Sequence, residues 1–194
     1  MVIRFYLRYL SCNNALNTKS NIMKTIEIKV FTFDELSDEA KEVAVNECRD
    51  IDVMGSWWIY IYEDAETIGL RITSFELDRN RHAEGEFISD ALECAHKITA
   101  EHGGMCETFK TAQAFLAERD SIVDSAELDE NGEFVDESEL DSLLDECEDD
   151  FLKSILEDYS IMLQKEFEYL QSDESAIETI RANGYEFLEN GTMY

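Results

Sequence analysis

The sequence predicts a helix-rich α+β protein with a small antiparallel sheet and a long acidic C-terminal helix. Three observations carry this. Proline is absent from all 194 residues, so no ring interrupts a helix from within. From Asp136 to Gln171 there is neither Gly nor Pro, and apolar residues recur at helical spacing through Leu140, Leu144, Cys147, Phe151, Ile155 and Met162. Alternating runs at Thr25–Phe33 and Leu70–Leu77 have the period of strands.

Taken in order, Thr25 to Phe33 alternates around Ile26, Ile28 and Val30, and Thr32-x-x-Glu35 has the form of a capping box for the next helix. That helix places Leu36, Ala40, Val43, Ala44 and Cys48 on one face. A second, from about Ser56 to Ile68, turns Trp58, Ile61, Tyr62, Ala65 and Ile68 inward and ends at Gly69. In the strand Leu70–Leu77 the apolar phase slips between Ile72 and Phe75, which predicts a bulge at Thr73–Ser74. A turn at Asp78–Arg81 leads to a strand ending at Phe87–Ile88, and Ser89 caps a helix through Ala91, Leu92, Ala95 and Ile98, closed by Gly103–Gly104. The next helix uses Phe109, Ala112, Phe115, Leu116 and Val123, and Ser125–Val135 reads as a loop or small hairpin. The stretch 136–171 is either one helix of about 50 Å, at 1.5 Å per residue, or two helices broken near Asp158-Tyr159-Ser160. Ser172 opens a last helix through Ile177 and Ile180, ended by Gly184. Tyr185–Tyr194 closes the chain as a strand or a hairpin through Asn190-Gly191.

Composition bounds the function classes. With 16 Lys+Arg against 45 Asp+Glu the net charge is −29, which repels nucleic acid and anionic membrane alike. A hydrophobic content of 44%, including 11 Phe, 8 Tyr and 2 Trp, suffices for a core, and no 18-residue apolar run offers a membrane span. Residues 1–22 hold Arg4, Arg8 and Lys19 and no acid, whereas 23–194 hold 13 basic residues and all 45 acids. This basic leader reads as an extension upstream of a natural start at Met23, with a signal peptide or short amphipathic anchor as the alternatives. Arg8 breaks its apolar stretch and no small-residue cleavage site follows. Residues 23–194 are then expected to form one α+β domain carrying an acidic segment at 120–152. Five cysteines without a CxxC pair, at 12, 48, 94, 106 and 147, read as reduced thiols of a cytoplasmic protein.

Between Arg119 and Lys153 there is no Lys, Arg or His, while 15 acids occur. The plain alternative is a solvated face that aids solubility. Self-repulsion of so many carboxylates destabilises a compact state, however, and basic partners at i,i+4 are missing. Glu137, Asp141, Asp145 and Glu148 follow one another at about 5–6 Å on a helix, comparable to phosphates along a DNA strand. Such a face matches the cationic groove of a nucleic-acid-binding protein. The candidate partner-binding residues are therefore Asp124, Glu127, Asp129, Glu130, Glu133, Glu137, Asp141, Asp145, Glu148 and Asp149, with Phe134 and Trp57 as apolar anchors.

Other chemistries fit less well, and no catalytic residue, metal or cofactor is assigned. Aligning Gly132 with the glycine of an EF-hand loop puts Glu127, Asp129 and Asn131 at early ligand positions. The twelfth then falls on Ser138, where a bidentate Glu is needed, and an Asn-Gly turn explains the same residues. Cys94 and His96 point apart on a helix, which weakens a zinc reading with His102 and Cys106. None of the three histidines lies in a nucleophile motif. Arg71, Arg79 and Arg81 form the densest basic patch, for which pairing with the chain's own acids is the plain reading.

The runs KTIEIKVFTFDELSDEAKEVA, WW…YEDAETIGL and ETIRANGYEFLENGTMY resemble small, uncharacterised acidic proteins of bacteriophages and prophages. The resemblance covers Met23 to the C-terminus and transfers no catalytic residue. It implies a setting in which small acidic proteins counter host defence or nucleic-acid enzymes, some by charge mimicry. The expected function is thus binding and inhibition of a basic host protein, without catalysis, in the host cytoplasm. The alternatives are an accessory protein whose acidity serves solubility, and a metal-dependent enzyme. A chain starting at Met23 is expected to keep its helicity and cooperative melting, read by circular dichroism; loss of either assigns the leader to the fold.

Overall fold

The computed structural model describes residues 26–127, 134–135 and 137–194. It is helix-rich α+β with two small antiparallel sheets and one long C-terminal helix, the class the sequence predicts. Where the sequence reading has one domain over 23–194, two compact units are found. One comprises the described residues to Asp52 together with Leu170–Tyr194; the other is Val53–Tyr169.

In the first unit the expected strand shrinks to β1, Phe31–Thr32, paired antiparallel with β4, Glu186–Phe187. Ile26 is 67% exposed and Ile28 39%, so alternation there serves no buried face. The Thr32 N–H and hydroxyl both donate to Glu35 Oε2, at 2.8 and 2.9 Å, but this box closes a 3-10 turn, Phe33–Glu35. Helix α1, Asp38–Cys48, is capped separately by Ser37, whose hydroxyl accepts from the Ala40 N–H. Its buried stripe is Ala40, Ala44, Val45 and Cys48. Val43, expected inside, is exposed, because at 100° per residue it lies more than a right angle from the Ala44–Cys48 line while Val45 flanks it.

Helix α6, Asp173–Asn183, starts on the Ser172 cap and stops at Gly184 in the left-handed region. It packs against α1 through Ala176 and Ile180, with Phe33 set edge-on to Phe187 at 6.4 Å. The expected turn through Asn190-Gly191 is present: the Gly191 N–H donates to Leu188 O and the Leu188 N–H to Thr192 O, both at 2.9 Å. Gly191 has φ +87°, and a Cβ there would lie 2.1 Å from the Ala40 carbonyl oxygen.

The second unit begins with α2, Ile59–Thr67, after which Gly69, at φ +87°, turns the chain into β2, Leu70–Glu76. Strand β2 pairs with β3, His82–Phe87, and the register shifts between Ile72 and Ser74, the bulge that the slipped phase predicts. Helix α3, Ala91–Glu101, is capped by Asp90, which accepts from the Glu93 N–H at 2.7 Å; the expected cap, Ser89, hydrogen-bonds the Glu93 side chain instead. Helix α4 spans Glu107–Ser125, and α5 runs unbroken through Glu137–Leu170, 34 residues. No break occurs at Asp158-Tyr159-Ser160 because Tyr159 and Ser160 are fully buried, and the Ser160 hydroxyl turns back to the Glu157 carbonyl at 2.8 Å. Phe151, Ile155, Tyr159 and Leu163 of α5 complete the core with Ile61, Leu70, Ile98 and Phe115. The rings of Phe115 and Phe151 stack at 4.3 Å.

Cys48, Cys94 and Cys147 are buried free thiols, as helical spacing implies, and Cys106 is exposed. No helix among the described residues is long and apolar enough to cross a membrane. Gly191→Ala is expected to destabilise the chain by at least about 1 kcal/mol in urea unfolding, since both the positive φ and the Ala40 carbonyl resist a side chain.

Candidate functional site

Helix α5 meets the core of its unit through Cys147 and Phe151, and Leu140 is buried on the same side of the helix. At 100° per residue, Glu137, Asp141, Asp145 and Asp149 fall on successive turns and wind round the helix from about 60° to about 180° away from that stripe. All four are exposed, as are Asp124 near the end of α4 and Glu127 just beyond it. Glu137 and Glu139 occupy the first turn, where the helix dipole favours carboxylates. Further along, each like-charged i,i+4 pair opposes the helix by about 0.2–0.5 kcal/mol, so packing of the apolar stripe must hold this segment.

Among the described acids of the tract, Glu148 and Asp150 have distinct surroundings. Glu148 sits on the flank of the buried stripe and is half-buried. Its carboxyl is pushed above the ordinary range, first by burial and then by Asp145, Asp90 and Asp149, against the opposing pull of Arg119. Asp150 is also less free than its spacing implies, since the Lys153 ammonium reaches it at 2.8 Å, an i,i+3 pair on the exposed surface.

Phe134 and Val135 come beside the start of α5, the Val135 N–H donating to Glu127 O at 2.9 Å. With Ile122, Leu140 and Leu143 they line a groove of about 490 Å³, on which Glu127 and Glu139 also border. Phe134 is 36% exposed and Leu143 44%. The apolar anchor foreseen at Phe134 thus stands within a larger apolar strip that spacing alone had not assembled. Its only sequence signal is Leu143, an apolar residue off the buried stripe amid acids.

Trp57 is placed elsewhere. It packs edge-on to Trp58 and Phe75 and tilted against Phe167, each ring about 5.7–5.8 Å away. Phe167 stands 18 residues beyond Asp149 on α5, ~27 Å along the axis. Trp57 therefore does not join the acidic arc, and its aromatic neighbours half-bury it. Tyr60, three residues on, is exposed. Asp129, Glu130 and Glu133, with the calcium positions Asn131 and Gly132, lie outside the described residues, as does the leader.

Among the described residues no three His, Cys, Asp or Glu side chains are grouped to hold a metal ion, and Cys94 is buried with Ile98. Two of the three arginines of the basic patch pair within the chain, Arg71 with Glu86 at 2.9 Å and Arg81 with Glu157. Compared with protein-family models, curated proteins and solved structures, the chain matches none.

The raised carboxyl of Glu148 fixes the sign of a pH effect. A folded-state value above the unfolded one means that the native state binds the extra proton, so stability falls as pH rises through that range. Glu148→Gln is expected to raise the melting temperature by about 2 °C near neutral pH, a gain that shrinks on acidification and vanishes below about pH 4. Thermal melts across that range check this.

Proposed function

We propose that this chain is a phage-type acidic protein, not an enzyme, that binds and inhibits a host nucleic-acid-binding or defence protein in the host cytoplasm by presenting negative charge in place of DNA. The observation that carries the reading is the exposed arc of Glu137, Asp141, Asp145 and Asp149, continued by Asp124 and Glu127. Carboxylates on successive helical turns give a line of charge that a basic groove built for phosphates accepts. The strip around Phe134 and Leu143, directly beside it, supplies apolar contact of the kind that sets residence time.

The field of the arc steers a basic partner, so association is fast and weakens with salt. Binding relieves the repulsion among the acids, which links the energetics of the helix to the partner. Capture from a bacterial host lysate, with mass spectrometry of what is retained, identifies the partner. The variant Asp141→Asn, Asp145→Asn, Glu148→Gln, Asp149→Asn preserves size and removes charge. It is expected to melt no lower than the parent at low salt and to bind the partner more than about tenfold more weakly, at up to about 1 kcal/mol per rim pair. Equal affinity of the two proteins at low salt would assign the acidity to solubility instead.

A further inference from the structure

A second cavity lies apart from the acidic arc. It is a groove of about 610 Å³ bounded by the end of α3, the Gly103–Cys106 turn, the start of α4, Asp64 of α2 and the middle of α5. That volume is within the range of small-ligand sites. Its walls combine accessible apolar side chains with the carboxylates of Asp64 and Asp158, while Glu107 at its edge is paired with Lys110 at 2.7 Å.

The apolar part is Met105, 88% exposed, Met162, 37% exposed, and Ile161. Methionine is flexible and polarisable, and adapts to varied alkyl groups. The polar part is a hydrogen-bonded floor. The fully buried Tyr159 donates its hydroxyl to Asp64 Oδ2 at 2.7 Å, while Asp64 Oδ1 faces His102 Nε2 at 3.9 Å, beyond hydrogen-bond reach. His102 is held on its other side by Thr108, with 2.7 Å between Nδ1 and Oγ1. The Thr111 hydroxyl donates to Asp158 Oδ2 at 2.6 Å. Asp158 is half-buried and its carboxyl is raised by that burial, with no cation among the groups acting on it. Lys165 lines the same groove and is exposed.

Neutral hydroxyls thus hold one oxygen of each Asp, and among the described residues no Lys or Arg is ion-paired with either. Asp158 is half-buried, and desolvating its charge is costly unless a counter-charge arrives, whereas the Asp64 side chain is 45% exposed and open to a ligand. A bare metal ion does not suit the site, because the ligating groups are not gathered into a cluster. An anion would meet Asp64, Asp158, Glu101 and Glu107. We propose that this groove binds an organic monocation, an ammonium or guanidinium on a short alkyl chain, with its charge beside Asp64 and Asp158 and its chain against Met105, Ile161 and Met162. A free alkyl amine and the side chain of a lysine or arginine share this chemistry.

The test uses the full chain with methionine methyl groups observed by NMR, titrated with hexylguanidinium, with neutral hexanol and with N-acetyl-arginine methylamide. Hexylguanidinium is expected to shift the Met105 and Met162 methyls saturably, with hexanol at least about tenfold weaker. Saturable shifts with the arginine derivative as well would point to a side chain as the natural source, and their absence to a free amine. Asp158→Asn keeps the acceptor for Thr111 and is expected to weaken the cation at least about fivefold without changing hexanol. Lys165→Ala removes the competing charge and is expected to tighten it, a second readout that does not depend on the first variant folding. Hexanol matching hexylguanidinium, no methyl shift with either, or affinities indifferent to both substitutions would overturn the assignment.

Discussion

Burial of one stripe on α5 is the constraint from which the Val53–Tyr169 unit follows. Phe151, Ile155, Tyr159 and Leu163 insert between α2, the β2–β3 pair, α3 and α4. Each such side chain contributes about 1.5–3 kcal/mol on burial. That gain lets a single helix run 34 residues, its first turns densely acidic, without a break. Gly85 of β3 belongs to the same packing: a Cβ there would meet the Arg71 carbonyl oxygen at 2.5 Å and the Leu156 side chain at 2.9 Å. Sheet and helix approach closely enough that only a hydrogen fits between them.

The same helix divides its labour along its length. Its middle is apolar toward the core, whereas its first turns carry charge on the arc away from it. Where the two regimes meet, Glu148 is half-buried and its carboxyl is raised. Desolvation thus adds a cost at this flank residue that the exposed carboxylates of the arc, screened by water, do not bear. A chain that bears this cost is consistent with the proposed role of the arc in meeting a basic partner.

The acidic residues at the cation groove differ in kind from those of the arc. Asp64 and Asp158 are positioned by hydroxyl donors from other elements, Tyr159 and Thr111, which fix their geometry. The carboxylates of the arc are spaced by the helix alone. The first arrangement suits a small ligand held at defined atoms, the second an extended partner recognised by its field.

Local chemistry made much of the fold legible. The bulge at Thr73, the Gly69 and Gly184 helix ends, the Ser172 cap and the Asn190-Gly191 turn each depend on residues within a few positions of one another, so the sequence alone determines them. The acidic arc is legible for the same reason, being a matter of spacing on one helix. Tertiary structure alone decided the rest. Helical spacing sets Val45 beside the Ala44–Cys48 line, but α6 and Phe187, from far along the chain, supply what that line packs against. Trp57 was drawn away from the arc by aromatic contacts with Phe75, 18 residues on, and with Phe167, 110 residues on. His102, Asp64 and Asp158 face one groove only because four helices and a turn converge there. Spacing specifies which side of an element a residue occupies, but what that side meets depends on contacts between segments distant in sequence, which no local pattern encodes.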